Sequence, residues 1–102
     1  MLMGTVAGTV VSTQKDRDME GFKLLIVRIV DLAAEPTQSY VLAADTIGAG
    51  VGEMVLVVQG SSARFTERTE GKPIDSAIVA IVDTIEVSGR RIYDKQEASV
   101  EA

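Results

Sequence analysis

The chain has 102 residues, contains no cysteine, histidine or tryptophan, and sets 10 basic against 15 acidic side chains for a net charge of −5. That length supports a single hydrophobic core, burying roughly 65% of the unfolded chain's surface, and is too short for two. The composition excludes disulfides, zinc–thiolate centres, thiol nucleophiles and any Ser-His-Asp relay, so catalysis would have to run on carboxylates, lysine, tyrosine or backbone.

A sequence pI near 4.6 argues against nucleic-acid and anionic-membrane partners, which reward clustered Lys and Arg. The longest apolar run, Ala77 to Val82, has six residues, whereas a membrane-spanning helix needs about 20. The opening Met1-Leu2-Met3-Gly4-Thr5 carries no secretory pattern, so the cytoplasm is the expected compartment. Fourteen Val and eight Ile stand against six Leu. Branching at Cβ suits a pleated surface better than a helical turn, which favours strands, and the spread of glycines between apolar runs fits a small all-β barrel or sandwich.

In chain order, Thr5 to Thr13 alternates as a half-buried strand, with Val6 and Val10 on one face and Gly8 marking a bulge or a close backbone crossing. Gln14 to Gly21 reads as a charged turn and Phe22 to Asp31 as a second strand, apolar on both faces except for Lys23 and Arg28. A loop containing Pro36 leads to a third strand at Tyr40 to Ala44. The glycine-rich stretch Asp45 to Gly52 joins it to a fourth strand at Glu53 to Gln59. Gly60 to Phe65 fits a helical turn capped by Ser61, and Thr66 to Lys72 a loop ending at Pro73. Asp75 is placed to cap a second brief turn before a fifth strand at Ile78 to Val87. Arg90 to Tyr93 reads as a short closing strand.

Three stretches imitate binding motifs. Asp16-Arg17-Asp18-Met19-Glu20-Gly21 opens like a calcium loop, but Val27 stands where the bidentate twelfth-position Glu belongs, leaving a solvated hairpin tip. Gly71-Lys72 resembles a phosphate-loop ending, yet Pro73 replaces the magnesium-holding hydroxyl and the upstream glycine is missing. Gly48-Ala49-Gly50-Val51-Gly52-Glu53 spaces its glycines as G-x-G-x-G ahead of a strand, not G-x-G-x-x-G ahead of a helix, which argues against a dinucleotide loop. Two readings remain open there. One is an ordinary flexible loop; the other is close packing, including around a symmetry axis where copies of one loop converge. In the second case Glu53 would form a ring of like charges, each needing a donor from a neighbour.

Phe22, Tyr40, Phe65 and Tyr93 are scattered singly, which suits core or interface packing rather than base stacking. Arg90-Arg91 is an adjacent basic pair at a domain edge. Asp45 and Asp83 each follow an apolar run, where turn formation is the ordinary role and general-base chemistry lacks a nucleophile beside it.

Taken together, Gly8-Thr9-Val10-Val11-Ser12-Thr13-Gln14-Lys15, Lys23-Leu24-Leu25, Ala43-Ala44-Asp45, the Gly48 to Glu53 loop, Gly60-Ser61-Ser62-Ala63-Arg64 and Pro73 to Asp83 occur in an order that resembles the pentameric shell proteins of bacterial microcompartments, the family of ethanolamine-utilisation and carboxysome vertex proteins. The resemblance implies an OB-like five-stranded β-barrel, all-β with one or two short helical turns, over residues 1–94; the residues after it, 95–102, read as a flexible acidic tail, with Glu97 to Ala102 frayed. It further implies a homopentamer capping the five-fold vertices of a shell, with hexameric shell proteins as partners and no catalysis, cofactor or metal. The family's G-A-G-x-G-E pattern lies around the five-fold axis and falls here on Gly48, Ala49, Gly50, Gly52 and Glu53. The Ala33 to Ser39 loop and the tail depart from the family and leave the kind of compartment open. An OB-type ligand- or nucleic-acid-binding module is the alternative that the fold permits.

Overall fold

The computed structural model describes residues 1–12, 23–60 and 75–97. Seven strands follow in order: β1 (Leu2–Val10), β2 (Lys23–Val30), β3 (Pro36–Asp45), β4 (Met54–Gln59), β5 (Ser76–Ile81), β6 (Thr84–Val87) and β7 (Arg90–Asp94). The first five close into a barrel in the order β1-β2-β3-β5-β4, while β6 and β7 form a separate two-stranded sheet. All barrel pairings are antiparallel except β3 with β5, a short parallel seam at Ala44↔Ala77 and Asp45↔Ile78. This order, closed by β1 against β4, is the Greek-key barrel of the OB type.

Strict alternation builds the interior. Leu25 and Val27 of β2, Ala43 of β3, Val55 and Val57 of β4 and Ile78 of β5 all point inward with Val6 of β1 and are essentially inaccessible to solvent. Leu2, Ile29, Val41 and Ile81 pack against them. Side chains of this size stabilise a fold by about 1.5–3 kcal/mol each when fully buried, so a barrel with no aromatic side chain in this cluster is adequately filled. On the opposite face of the same strands, Ala44 and Ala77 form a smaller cluster with Leu24 and Val58. Tyr40 and Leu42, two residues apart on β3, are about half exposed, and the Arg28 guanidinium lies 5.6 Å from the Tyr40 ring centroid.

Several boundaries differ from the sequence reading. The expected bulge is present: register steps from Val6↔Val27 to Gly8↔Ile26, so Ala7 is the extra residue. A bulge shifts the alternation by one, which puts Val6 in the core and Val10 opposite Leu24 on the outer face instead of sharing one side. β1 also begins earlier, because Leu2 to Thr5 pair with β4. Pro36 opens β3 instead of lying in a loop, a position where its missing N–H costs nothing. The run Ile78 to Val87 is not one strand. Val82 and Asp83 interrupt it, with Val82 N–H donating to the Met54 carbonyl (2.8 Å) as the chain leaves the barrel. No helical turn follows Asp75, since Ser76 enters β5 directly. Arg90 to Tyr93 does not close the barrel; it pairs with β6 across a turn at Ser88-Gly89, both at positive φ. One helical turn appears at residues 95–97. The expected turns at Gln14 to Gly21 and Ser61 to Lys72, Phe22 and Phe65, and both rejected motifs at Asp16 and Gly71 lie outside the described residues.

The close backbone crossing sits at Gly4 and not at Gly8. A Cβ on Gly4 would lie 2.6 Å from the Arg28 carbonyl oxygen and overlap Val27, whereas one on Gly8 would meet only the Ile26 side chain at 3.8 Å. Gly4→Ala is therefore expected to destabilise the chain by about 2–3 kcal/mol and Gly8→Ala by markedly less, measured by urea denaturation.

Candidate functional site

The stretch between β3 and β4 holds Gly48, Ala49, Gly50, Gly52 and Glu53, and the structure explains how its eight glycine-rich residues hold a shape. Asp45, the last residue of β3, is 5% exposed. Its Oδ1 accepts hydrogen bonds from three successive backbone N–H groups, those of Ile47 (3.1 Å), Gly48 (3.0 Å) and Ala49 (3.2 Å). The short Asp side chain is suited to this because it can reach its own downstream backbone. Thr46 Oγ1 donates to the Ile78 carbonyl (2.7 Å), pinning the loop to β5. Ala49 then drops into the barrel core.

The second half is a hydrogen-bonded turn. Glu53 N–H donates to the Gly50 carbonyl (3.1 Å), and Gly52, the third residue of that turn, has φ +92°, the left-handed value a type II turn demands there. Gly50 N–H donates in return to Glu53 Oε1 (2.6 Å). The turn is stitched to β1 by Gly52 N–H to the Val6 carbonyl and Val6 N–H to the Glu53 carbonyl, both 2.9 Å. What remains outside is apolar: Ile47 and Val51 are 42% and 66% exposed.

The three glycines are not equivalent. Gly48 and Gly52 both have positive φ, which L side chains rarely adopt, so the chain's own backbone accounts for them. Gly50 has no such φ, and a Cβ there would meet only Glu53 Oε1, at 3.4 Å. Nothing among the described residues requires glycine at position 50.

Glu53 carries a second partner that sequence reasoning missed. Lys95 Nζ donates to Glu53 Oε2 at 2.7 Å across 42 residues, an ion pair whose side chains are 38% and 25% exposed, lysine first. The sequence assigns Lys95 to the tail; its only advance signal is a cation just past the last strand. Both Glu53 oxygens thus have donors within one chain, where the sequence reading looked for a donor on a neighbouring subunit. The Lys95 hydrogen bond, reinforced by the Gly50 N–H, holds the Glu53 carboxyl below its ordinary 4.5, and the same bond holds the Lys95 ammonium above its ordinary 10.5. Elsewhere, Arg91 bridges Glu86 and Asp94 on the β6–β7 hairpin, and the Asp83 carbonyl accepts the Lys95 N–H (2.8 Å). Neither Asp45 nor Asp83 meets a nucleophile among the described residues. No buried side-chain polar atom there lacks a partner.

Two outcomes follow from this geometry. Asp45→Ala removes the acceptor for three N–H groups and should cost about 2–4 kcal/mol in chemical denaturation, with Asp45→Asn recovering much of it through its carbonyl oxygen. Because the Glu53 carboxyl is depressed, its contribution is present above 4.5 and is lost as pH falls through its lower folded value; the Lys95 contribution is complete below 10.5 and is lost as pH rises through its higher one. The stability difference between the native chain and Glu53→Gln should therefore stay level from pH 6 to 9, as read by thermal unfolding, and disappear in acid.

Residues 1–83 match the family model described as ethanolamine utilisation protein EutN/carboxysome. The chain is 46% identical over 99 residues to the carboxysome shell vertex protein CcmL of Synechococcus elongatus, covering 97% of this chain and all of that one. It superposes on the structure of Gloeobacter violaceus CcmL with a TM-score of 0.90 at 43% identity, covering 94% and 99% of the two chains. The GrpN pentameric microcompartment shell protein from Rhodospirillum rubrum superposes with a TM-score of 0.77 at 46% identity, covering 85% and 100%. With its barrel and these likenesses in agreement, the chain belongs to the EutN/carboxysome family.

Proposed function

We propose that this protein is a structural, non-enzymatic shell component that assembles as a homopentamer and caps the five-fold vertices of a bacterial microcompartment in the cytoplasm. The supporting observation is Gly50. Its backbone conformation and its surroundings among the described residues tolerate a side chain, so we look for its reason in a neighbouring molecule, and a second copy of the same loop is the simplest occupant. The apolar Ile47 and Val51 beside it supply surface to bury. Gly48, Ala49, Gly50, Gly52 and Glu53 border the axis in this reading, where small residues let neighbouring backbones approach.

The mechanism is geometric. A sheet of hexagonal units is flat, and a head-to-tail contact that closes after five copies introduces the curvature a closed shell needs. Hexameric shell proteins flank each such ring. A microcompartment shell is the setting because the relatives of known role carry that description in their names, the carboxysome vertex protein and the pentameric GrpN among them.

Gly50→Val places a branched side chain at the point of convergence. In sedimentation velocity the native chain should run as a ring and the variant as monomers with an unchanged circular dichroism spectrum. Rings of undiminished stability from Gly50→Val would contradict the proposal.

A further inference from the structure

The C-terminal hairpin is anchored to the barrel at one place. At its first foot, Val82 N–H donates to the Met54 carbonyl; at its second, Lys95 donates its N–H to the Asp83 carbonyl and its ammonium to Glu53. The two feet are thus fastened to Met54, the first residue of β4, and to Glu53, the last residue of the 50–53 turn. Among the described residues Lys95–Glu53 is the sole ion pair that joins distant parts of the chain, the others lying within β6, β7 and their turn. Its position is informative because Oε1 of the same carboxylate is the acceptor that holds Gly50 N–H. Lys95 therefore fixes the carboxylate that in turn fixes the residue placed above at the subunit contact.

We propose that Lys95 is a positioning residue for ring assembly, and that the turn at residues 95–97 works as a strap that sets the 50–53 turn for contact with the next copy and neutralises Glu53 there. The inference rests on the pentamer reading above. Without the strap, Glu53 keeps one neutral donor among the described residues, and no cation there compensates its charge. Five such carboxylates brought around one axis repel each other. With the strap each copy brings its own cation, so closure needs no donor from a neighbour. The nearby Asp83 carboxylate also favours the charged form of the ammonium, less than Glu53 does.

An exposed ion pair is worth a factor of about two to five in an equilibrium. A five-membered ring has five interfaces but four association steps, so a factor lost at each interface enters the half-assembly concentration as its 5/4 power, roughly two- to sevenfold. The test is a dilution series followed by mass photometry on the full chain, Lys95→Met, Lys95→Arg, Glu53→Gln and the Lys95→Met/Glu53→Gln double variant. Methionine keeps most of the apolar stem and removes the charge. The strap predicts a half-assembly concentration raised about two- to sevenfold in Lys95→Met, restored in Lys95→Arg, and not raised further in the double variant than in the single ones. It also predicts that 1 M salt narrows the gap between the native chain and Lys95→Met, because salt screens both the ion pair and the repulsion among unmatched carboxylates. Identical dilution curves for the native chain and Lys95→Met would overturn the strap while leaving the pentamer intact. Monomers from the native chain at every concentration would overturn the pentamer, and the strap with it.

Discussion

Everything distinctive in this molecule depends on two carboxylates accepting backbone N–H groups at the two ends of one loop. Glycine-rich chain loses more conformational freedom on ordering than any other, so a stretch such as Gly48 to Gly52 should not hold a shape unaided. Asp45 receives three N–H groups at the start and Glu53 one at the end, and both residues continue into barrel strands. The barrel behind them is generic aliphatic packing that many sequences could supply. The loop in front is specific, because its shape is set by charge-assisted hydrogen bonds whose geometry allows few alternatives.

The same arrangement settles an electrostatic problem for an acidic chain. A net charge of −5 per copy works against self-association, and the cost would be greatest where identical loops meet. Asp45 is turned inward onto its own backbone, and Glu53 is matched by Lys95. The surface left facing outward from the loop is Ile47, Val51 and glycine, which carries no charge to repel a copy of itself. Repulsion from the rest of the chain is then left to longer distances, where salt screens it.

Much of this was legible in the sequence, and the failures have physical causes. The β-branched excess predicted an all-β fold, Gly8 predicted the bulge, and the G-x-G-x-G spacing separated the loop from nucleotide motifs. Strand ends were less readable because pairing partners, not local pattern, decide them: β1 extends back to Leu2 since β4 lies beside it, and the apolar run after Ile78 breaks at Val82 since the barrel ends there. A bulge at Ala7 reverses the alternation that follows it, so Val10 lies on the opposite face from Val6, which a simple period of two does not show. Gly4 was overlooked because its reason for being glycine is a carbonyl on another strand. Lys95 was invisible for the same reason, since its partner is 42 residues away.

The central claim is that copies of this chain close into a ring of five, and native mass spectrometry of the unmodified protein at micromolar concentration tests it most directly. The account predicts one dominant particle near 54 kDa, five times the 10.8 kDa chain. A spectrum dominated by the 10.8 kDa monomer, or by a closed ring of another number, would contradict it.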